Sequence, residues 1–277
     1  MQSSMQPDTT SVALITGAGS GLGAAMASRF AQAGWRVIVT DQHIERAETV
    51  ASGLSGSGHE ARALDVTQSS QWQELAEFVD AKVGRIDLLV NNAGVATGGM
   101  LGETPLEDWE WVLEINLMGV VRGCHHFVGR FRGQGFGHIV NVASWAGLAA
   151  APGIASYGTA KAAVVSLSEM LRAELQPYGV EVSVLCPAFV KTALTDSMRA
   201  PDDTYAKRVQ KWMEHSGVLA EDVAETVYRA TQKPRFLLLT HPETRWQYRL
   251  KRWFPSLYFR ILMRTMRKLM PKPETKK

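Results

Sequence analysis

Cysteine is scarce, long apolar runs are missing, and no block of one charge appears before the C-terminal end. Only Cys124 and Cys186 occur in 277 residues. Two thiols so placed supply neither a metal-ligand spacing nor a disulfide framework, which excludes a stapled secreted domain and fits a reducing compartment. No run approaches the roughly 18 apolar residues of a membrane span. The opening MQSSMQPDTTS is polar and lacks the apolar core of a secretory signal. The seven histidines, His125 and His126 among them, lack metal spacing. Like the Trp109/Trp111 pair, those two read as packing or surface groups on a helix, and no metal is expected. Repeats and low-complexity linkers are also absent. The default these absences set is the cytoplasm.

What is present is an ordinary globular composition, 45% hydrophobic and 21% charged, long enough for one large domain with a substantial core. Short β-branched apolar runs alternate with helical periods. Strands are expected over 11–17, 35–41, 60–66, 85–94, 137–144, 180–187 and 235–240. Helices are expected after the glycine-rich 17–23 and over 44–54, 69–83, 105–132, 156–176 and 220–232, with short helices or a mobile lid over 191–216. Seven strands with interleaved helices imply an α/β, doubly wound parallel sheet with helices on both faces. The expected division is a polar segment over 1–10, one α/β domain over 11–244 and a basic amphipathic tail over 245–277.

Two stretches carry chemistry. TGAGSGLG, residues 16–23, begins where the first strand ends and runs into the first helix. In that context Gly17, Gly21 and Gly23 allow a tight turn and close approach of backbone to a pyrophosphate lying on the helix's positive end. Asp41 ends the second strand, where a carboxylate accepts ribose hydroxyls and repels a 2′-phosphate. With Gln42 beside it and Ser20 in the loop, no arginine or lysine is evidently placed for that phosphate, so NAD is favoured over NADP. In SYGTAKAA, residues 156–163, Tyr157 and Lys161 are one helical turn apart among small residues. A cation there is expected to pull the phenol down from its reference value of about 10.

The glycine spacing, NNAG at 91–94, Asn116, Ser144, Tyr157 and Lys161 stand in one order that resembles the short-chain dehydrogenase/reductase family, in its single-domain branch, over roughly residues 11–240. The resemblance implies a seven-stranded Rossmann-type sheet, which makes 11–244 a Rossmann-fold dehydrogenase domain, and hydride transfer between a nicotinamide cofactor and an alcohol or carbonyl. It makes Tyr157 the general acid/base, with Lys161 lowering its pKa and holding the nicotinamide ribose. Ser144 would bond the substrate oxygen, and Asn116 would hold a water in a proton relay. Asp65 and Val66 would clasp the adenine. Asn91, Asn92, Ala93 and Gly94 would line the cofactor cleft, joined by Ser20, Leu22, Pro187, Val190 and Thr192. The family's Pro-Gly after the sixth strand is Pro187-Ala188 here, which adds a methyl in the cleft. Substrate contacts are expected from Val95, Trp145, Leu148 and Phe189, whose apolar character suggests a lipophilic alcohol or carbonyl. A reductase of small polyol-like carbonyls is the nearest alternative. A catalytically idle NAD-binding sensor or membrane-associated scaffold is a different one. The expected assembly is a homodimer or homotetramer.

The tail lies beyond what the resemblance explains. Residues 245–277 hold eleven Lys or Arg against Glu274 alone, which leaves 19 of the 30 basic and 26 of the 27 acidic residues in the body. The body is thus near −7 and the tail near +10. Over 245–270, two basic amphipathic helices broken at Pro255 are expected, with Trp246, Leu250, Trp253 and Phe254 on one side of the first. Tyr258, Phe259, Leu262, Met263, Met266, Leu269 and Met270 lie opposite Arg260, Arg264, Arg267 and Lys268 in the second. Two readings stand open: an in-plane anchor on the cytoplasmic face of a membrane, or packing on the body or another subunit. Nucleic acid is not expected, because the acidic body would repel it.

Overall fold

The computed structural model describes residues 10–192, 194, 197–201, 207, 209–211 and 215–267. Twelve of the 26 residues of the expected lid over 191–216, and residues 268–270 of the expected second tail helix, therefore lie outside the described residues.

Seven parallel strands form one sheet in the order β3-β2-β1-β4-β5-β6-β7. They are β1 Val12–Thr16, β2 Arg36–Asp41, β3 Glu60–Ala63, β4 Leu88–Asn91, β5 Gly137–Val142, β6 Val180–Leu185 and β7 Leu237–Leu238. Every strand is shorter than its apolar run suggested. The ends of those runs bend into loops at the sheet's carboxyl edge, so Asp65 and Val66 lie beyond β3 rather than in it.

Alternation along the strands builds two cores. Val12 and Leu14 of β1 join Trp72, Phe127, Phe131 and Ile139 on one face, while Ala13 and Ile15 join Met26, Phe30, Val140 and Val227 on the other. The helices are α1 Gly21–Gln32, α2 Ile44–Ser52, α3 Ser69–Phe78, α4 Leu106–Leu113, α5 Gly119–Gln134, α6 Trp145–Ala149, α7 Ala155–Leu175 and α8 Ala220–Gln232. α1 packs on α8, tied by Arg29 Nε to Glu225 at 2.6 Å.

The segments expected as single helices over 69–83 and 105–132 each contain a π turn, at Val79–Val83 and Glu114–Met118. Apolar periodicity does not register one extra residue in a turn. Such turns cluster at functional places, and the second holds Asn116.

Beyond β7 come α9 Pro242–Trp253 and α10 Pro255–Met266, the pair expected on either side of Pro255. α9 starts inside the expected body. Both helices reach α6: the Lys251 ammonium donates to Leu148 O, and Tyr258 Oη donates to Ala149 O at 2.8 Å. Packing on the body, one of the two readings of the tail, is thus a feature of the fold. Among the described residues no helix is long and apolar enough to cross a membrane.

One buried pair ties fold to pH. His138 on β5 is 6% exposed, and its Nε2 lies 2.8 Å from Ser183 Oγ, whose hydroxyl donates to Arg235 O at 2.6 Å. Burial pushes its pKa from 6.5 down to about 4. Between those values the unfolded chain binds a proton that the native chain refuses. The stability contributed is complete above the unfolded value and is lost as pH falls toward the folded one. The loss is up to about 3 kcal/mol at 1.36 kcal/mol per unit. We expect urea unfolding at pH 7 and pH 4.5 to show less of this acid loss in His138→Gln than in the parent protein; equal losses would remove His138 from the account.

Candidate active site

The strand order reverses between β1 and β4, and there a cleft of about 590 Å³ opens at the carboxyl ends of the strands. Its walls bring together most of the residues singled out in the sequence. Gly17, Ser20, Gly21, Leu22, Asp41, Asp65, Val66, Asn92, Ala93, Gly94 and Val95 line it, together with Ser144, Tyr157, Lys161, Pro187, Ala188, Val190 and Thr192.

At one end stands the first turn of α1. Ser20 heads the helix without a side-chain cap, and no acid lies in the first turn. The first N–H groups of α1 are left for a ligand, which is what a pyrophosphate needs. Gly17 has φ +60, and a Cβ on it would lie 2.8 Å from the Ala93 Cα. Gly23 does not line the cleft. Its Cβ would sit 2.3 Å from Gly17 O, so its part is to let α1 close on the loop.

Asn92 completes this loop. Its amide donates to Thr16 O at 2.8 Å and Gly17 O at 3.1 Å, while Thr16 Oγ1 accepts the N–H of Asn92 and Ala93. The NNAG stretch is therefore a latch between β4 and the loop. Asn91 is buried below it, bonded to Asn141 at 2.9 Å, and does not line the cleft. Thr192 closes the loop from above, its Cβ 3.3 Å from where a Gly21 Cβ would stand.

Asp41 is 8% exposed and held by two backbone donors, Gly19 N to Oδ2 and His43 N to Oδ1, each at 3.1 Å. One expectation needs correction here. Arg46 lines the same end of the cleft as Asp41 and His43, because α2 folds back over the loop. A cation is thus near the Asp41 carboxylate. Asp65 accepts from Thr67 N and Thr67 Oγ1 at 2.9 and 2.8 Å, which fixes the loop that presents Val66.

At the other end Ser144 caps α6, its Oγ accepting Ala146 N at 3.1 Å. That acceptor bond turns the hydroxyl proton toward other partners. Lys161 is 3% exposed, donates to Val142 O at 2.8 Å and lies 5.9 Å from the Tyr157 ring centroid. Burial lowers its pKa to about 8. Tyr157 is raised above 10.0 by burial, against which a hydrogen bond from Ser144 works. The expectation of a depressed phenol is not met in this structure: desolvation of the Tyr157 hydroxyl outweighs the Ser144 hydrogen bond, and Lys161 donates to the Val142 carbonyl instead.

Asn116 is fully buried in the π turn, where its side chain closes on one peptide, Oδ1 accepting Val95 N and Nδ2 donating to Val95 O, each at 2.8 Å. It does not line the cleft. A Cβ on Gly94 would lie 3.0 Å from Asn116 Oδ1 and 3.5 Å from Lys161 Nζ, so the two side chains converge behind the NNAG turn.

The substrate expectation fares less well. Of its four residues only Val95 lines the cleft. Leu148 is buried in the core, Trp145 packs against that core, and Phe189 is 38% exposed. They follow Ser144 and Pro187 in sequence, but α6 turns the first two inward. Trp111, read from sequence as packing or surface, does line the cleft, with Ile115, Leu194 and Ser197. The Arg199 guanidinium lies 3.9 Å from the Trp111 ring centroid and pairs with Asp108. The helical period of α4 gave no sign of this, because the cleft wall is completed by a distant segment.

Comparisons with known proteins agree with this arrangement. The family model for short chain dehydrogenase matches residues 11–203. The CLA biosynthesis dehydrogenase/reductase of Lactiplantibacillus plantarum is 33% identical over 252 residues, covering 84% of this chain and 88% of the relative. The crystal structure of a short chain dehydrogenase/reductase from Burkholderia phymatum in complex with NAD superposes with a TM-score of 0.83 at 35% identity, over 91% of this chain and 96% of that one. A serine dehydrogenase in its closed form with NADP+ superposes with a TM-score of 0.77 at 30% identity, over 84% and 95%. Solved neighbours thus hold either nicotinamide dinucleotide, and the chain, with its reversed strand order, glycine loop and converging serine, tyrosine and lysine, belongs to the short-chain dehydrogenase family.

Proposed function

We propose that the chain is an NAD-dependent dehydrogenase or reductase acting on a lipophilic alcohol or carbonyl, with Tyr157 as its general acid/base. The observation that carries this reading is that Ser144, Tyr157 and Lys161 share one cleft with the uncapped α1 terminus and Asp41. When bound, the nicotinamide cofactor supplies or takes the hydride. In the reducing direction Ser144 donates a hydrogen bond to the substrate oxygen, and the Tyr157 hydroxyl gives that oxygen its proton. The phenolate left behind is answered by the Lys161 ammonium, and the proton returns to Tyr157 in the opposite direction. Lys161 also holds the nicotinamide ribose. Asn116 acts through Val95, keeping the wall beside Lys161 in place and supporting a water in the proton relay.

Asp41 favours NAD, since its buried carboxylate would stand against a 2′-phosphate. Asp65, Val66 and Ala93 receive the adenine side. Pro187, Val190 and Thr192 frame the nicotinamide side. Val95, Trp111, Ala188 and Leu194 give the cleft an apolar lining suited to a lipophilic substrate. A homodimer or homotetramer is part of this reading. The idle-sensor and scaffold readings are not favoured, because nucleotide sensing alone does not call for Ser144, Tyr157 and Lys161 around one cleft.

Two measurements test it. Fluorescence titration should show NAD(H) bound at least tenfold more tightly than NADP(H), a gap of about 1.4 kcal/mol. In Asp41→Ser the gap should narrow, since Arg46 then faces a phosphate without a competing carboxylate; equal affinities in the parent protein would overturn the assignment. Tyr157→Phe keeps the ring and removes the proton, so turnover on alcohols or ketones of increasing chain length should fall about 100-fold or more while NAD still binds. Near-normal turnover would mean that another group carries the proton.

A further inference from the structure

α9 turns away from the body the rings that burial alone would cover, and α10 does so with part of its apolar side while Tyr258 is buried and Leu262, Met263 and Met266 are half-buried. α9 meets the body through Thr244, Tyr248 and Lys251, residues spaced for one helix face and largely polar. Its aromatic residues turn outward: Trp246 is 53% exposed and Trp253 75%, followed by Phe254 at 62%. α10 buries Tyr258 against α6 and leaves Phe259 60% and Leu257 40% exposed. Arg245, Arg249, Arg252, Arg260, Arg264 and Arg267 are exposed among these rings, and among the described residues none of them is ion-paired. A tail made only to cover the body would turn Trp246, Trp253, Phe254 and Phe259 inward.

We propose that the α9–α10 hairpin is a docking surface for anionic lipid, lying in the plane of a membrane interface. Trp and Phe sit at headgroup level while arginines meet lipid phosphates, the combination that in-plane basic helices use. Charge complementarity selects this occupant. A second copy meeting this face by two-fold symmetry would set arginine against arginine. The lipid-docked hairpin rests on α6, whose first residue follows Ser144, so the cleft stands close to the interface. Delivery of an apolar substrate from that interface rests on the function proposed above; the docking itself does not.

Sedimentation of the full chain with vesicles tests the surface without cofactor or substrate. Vesicles of phosphatidylglycerol and phosphatidylcholine should bind the protein, phosphatidylcholine alone should bind it weakly, and added salt should reduce the binding. Each arginine removed should weaken it about 5-fold, so Arg249→Glu with Arg252→Glu should release it. Trp253→Ser with Phe254→Ser, both exposed, should also release it while helical circular dichroism and NAD binding stay unchanged. A parent protein that ignores anionic vesicles, or variants that bind as the parent does, would overturn the proposal. A solution dimer that dissociates in Trp253→Ser/Phe254→Ser, with no vesicle binding by the parent, would assign the face to a second copy.

Discussion

A Cβ on Gly147 would stand 2.6 Å from the Lys161 carbonyl carbon and 2.7 Å from Ala162 N, so α6 can cross α7 at this depth only through a glycine. Much else depends on that approach. Ser144 caps α6, and Tyr157 and Lys161 stand on α7, so the crossing sets the distance between the hydroxyl and the pair. Gly158 makes the approach mutual, since its Cβ would stand 3.4 Å from Ala146 O. On its outer side α6 offers Leu148 O and Ala149 O, which take Lys251 and Tyr258 of the tail. A five-residue helix has little stability of its own. It is held by a cap at one end, α7 beneath and the tail above, and each of those contacts places Ser144.

The same closeness sets the electrostatics. Lys161 comes to lie almost out of water, its charge favoured by one carbonyl and opposed by burial. Tyr157 shares the desolvation, which raises its pKa above the usual phenol value. The two shifts run in opposite senses and leave both groups neutral more readily than water would. Hydroxyls and phosphates entering the cleft would restore partners to Lys161. In the proposed mechanism, such a partner would favour the charged form of Lys161, on which the phenolate of Tyr157 depends.

The fold was legible because its signals are local and repeated: β-branched runs, glycine stops and helical periods follow one another at βα spacing. The glycine loop was legible for a similar reason, its meaning fixed by the strand before it and the helix after it. What stayed hidden is set by contacts between distant segments. The Asn92 amide binds backbone at Thr16 and Gly17, and nothing near Asn92 announces that. Trp111 lines the cleft where Arg199 packs on its ring. Trp145 and Leu148 follow Ser144 but are turned into the core by α6. Arg46 reaches the Asp41 end of the cleft because α2 folds back, whereas a reading along β2 sees only Asp41 and Gln42.

The tail shows the limit of periodicity most clearly. Spacing alone divides α9 into an aromatic side and a basic side and indicates a helix that prefers two environments. It does not say which environment the body supplies. Here the contact runs through Thr244, Tyr248 and Lys251, between those two sides, because α6 presents carbonyl groups at its C-terminal end and these ask for donors. Lys251 and Tyr258 are donors with apolar stems and satisfy that demand at little cost in exposed polar surface. The body thus holds the hairpin through hydrogen-bond donors and leaves Trp246, Trp253, Phe254 and Phe259 facing outward together with the tail's arginines.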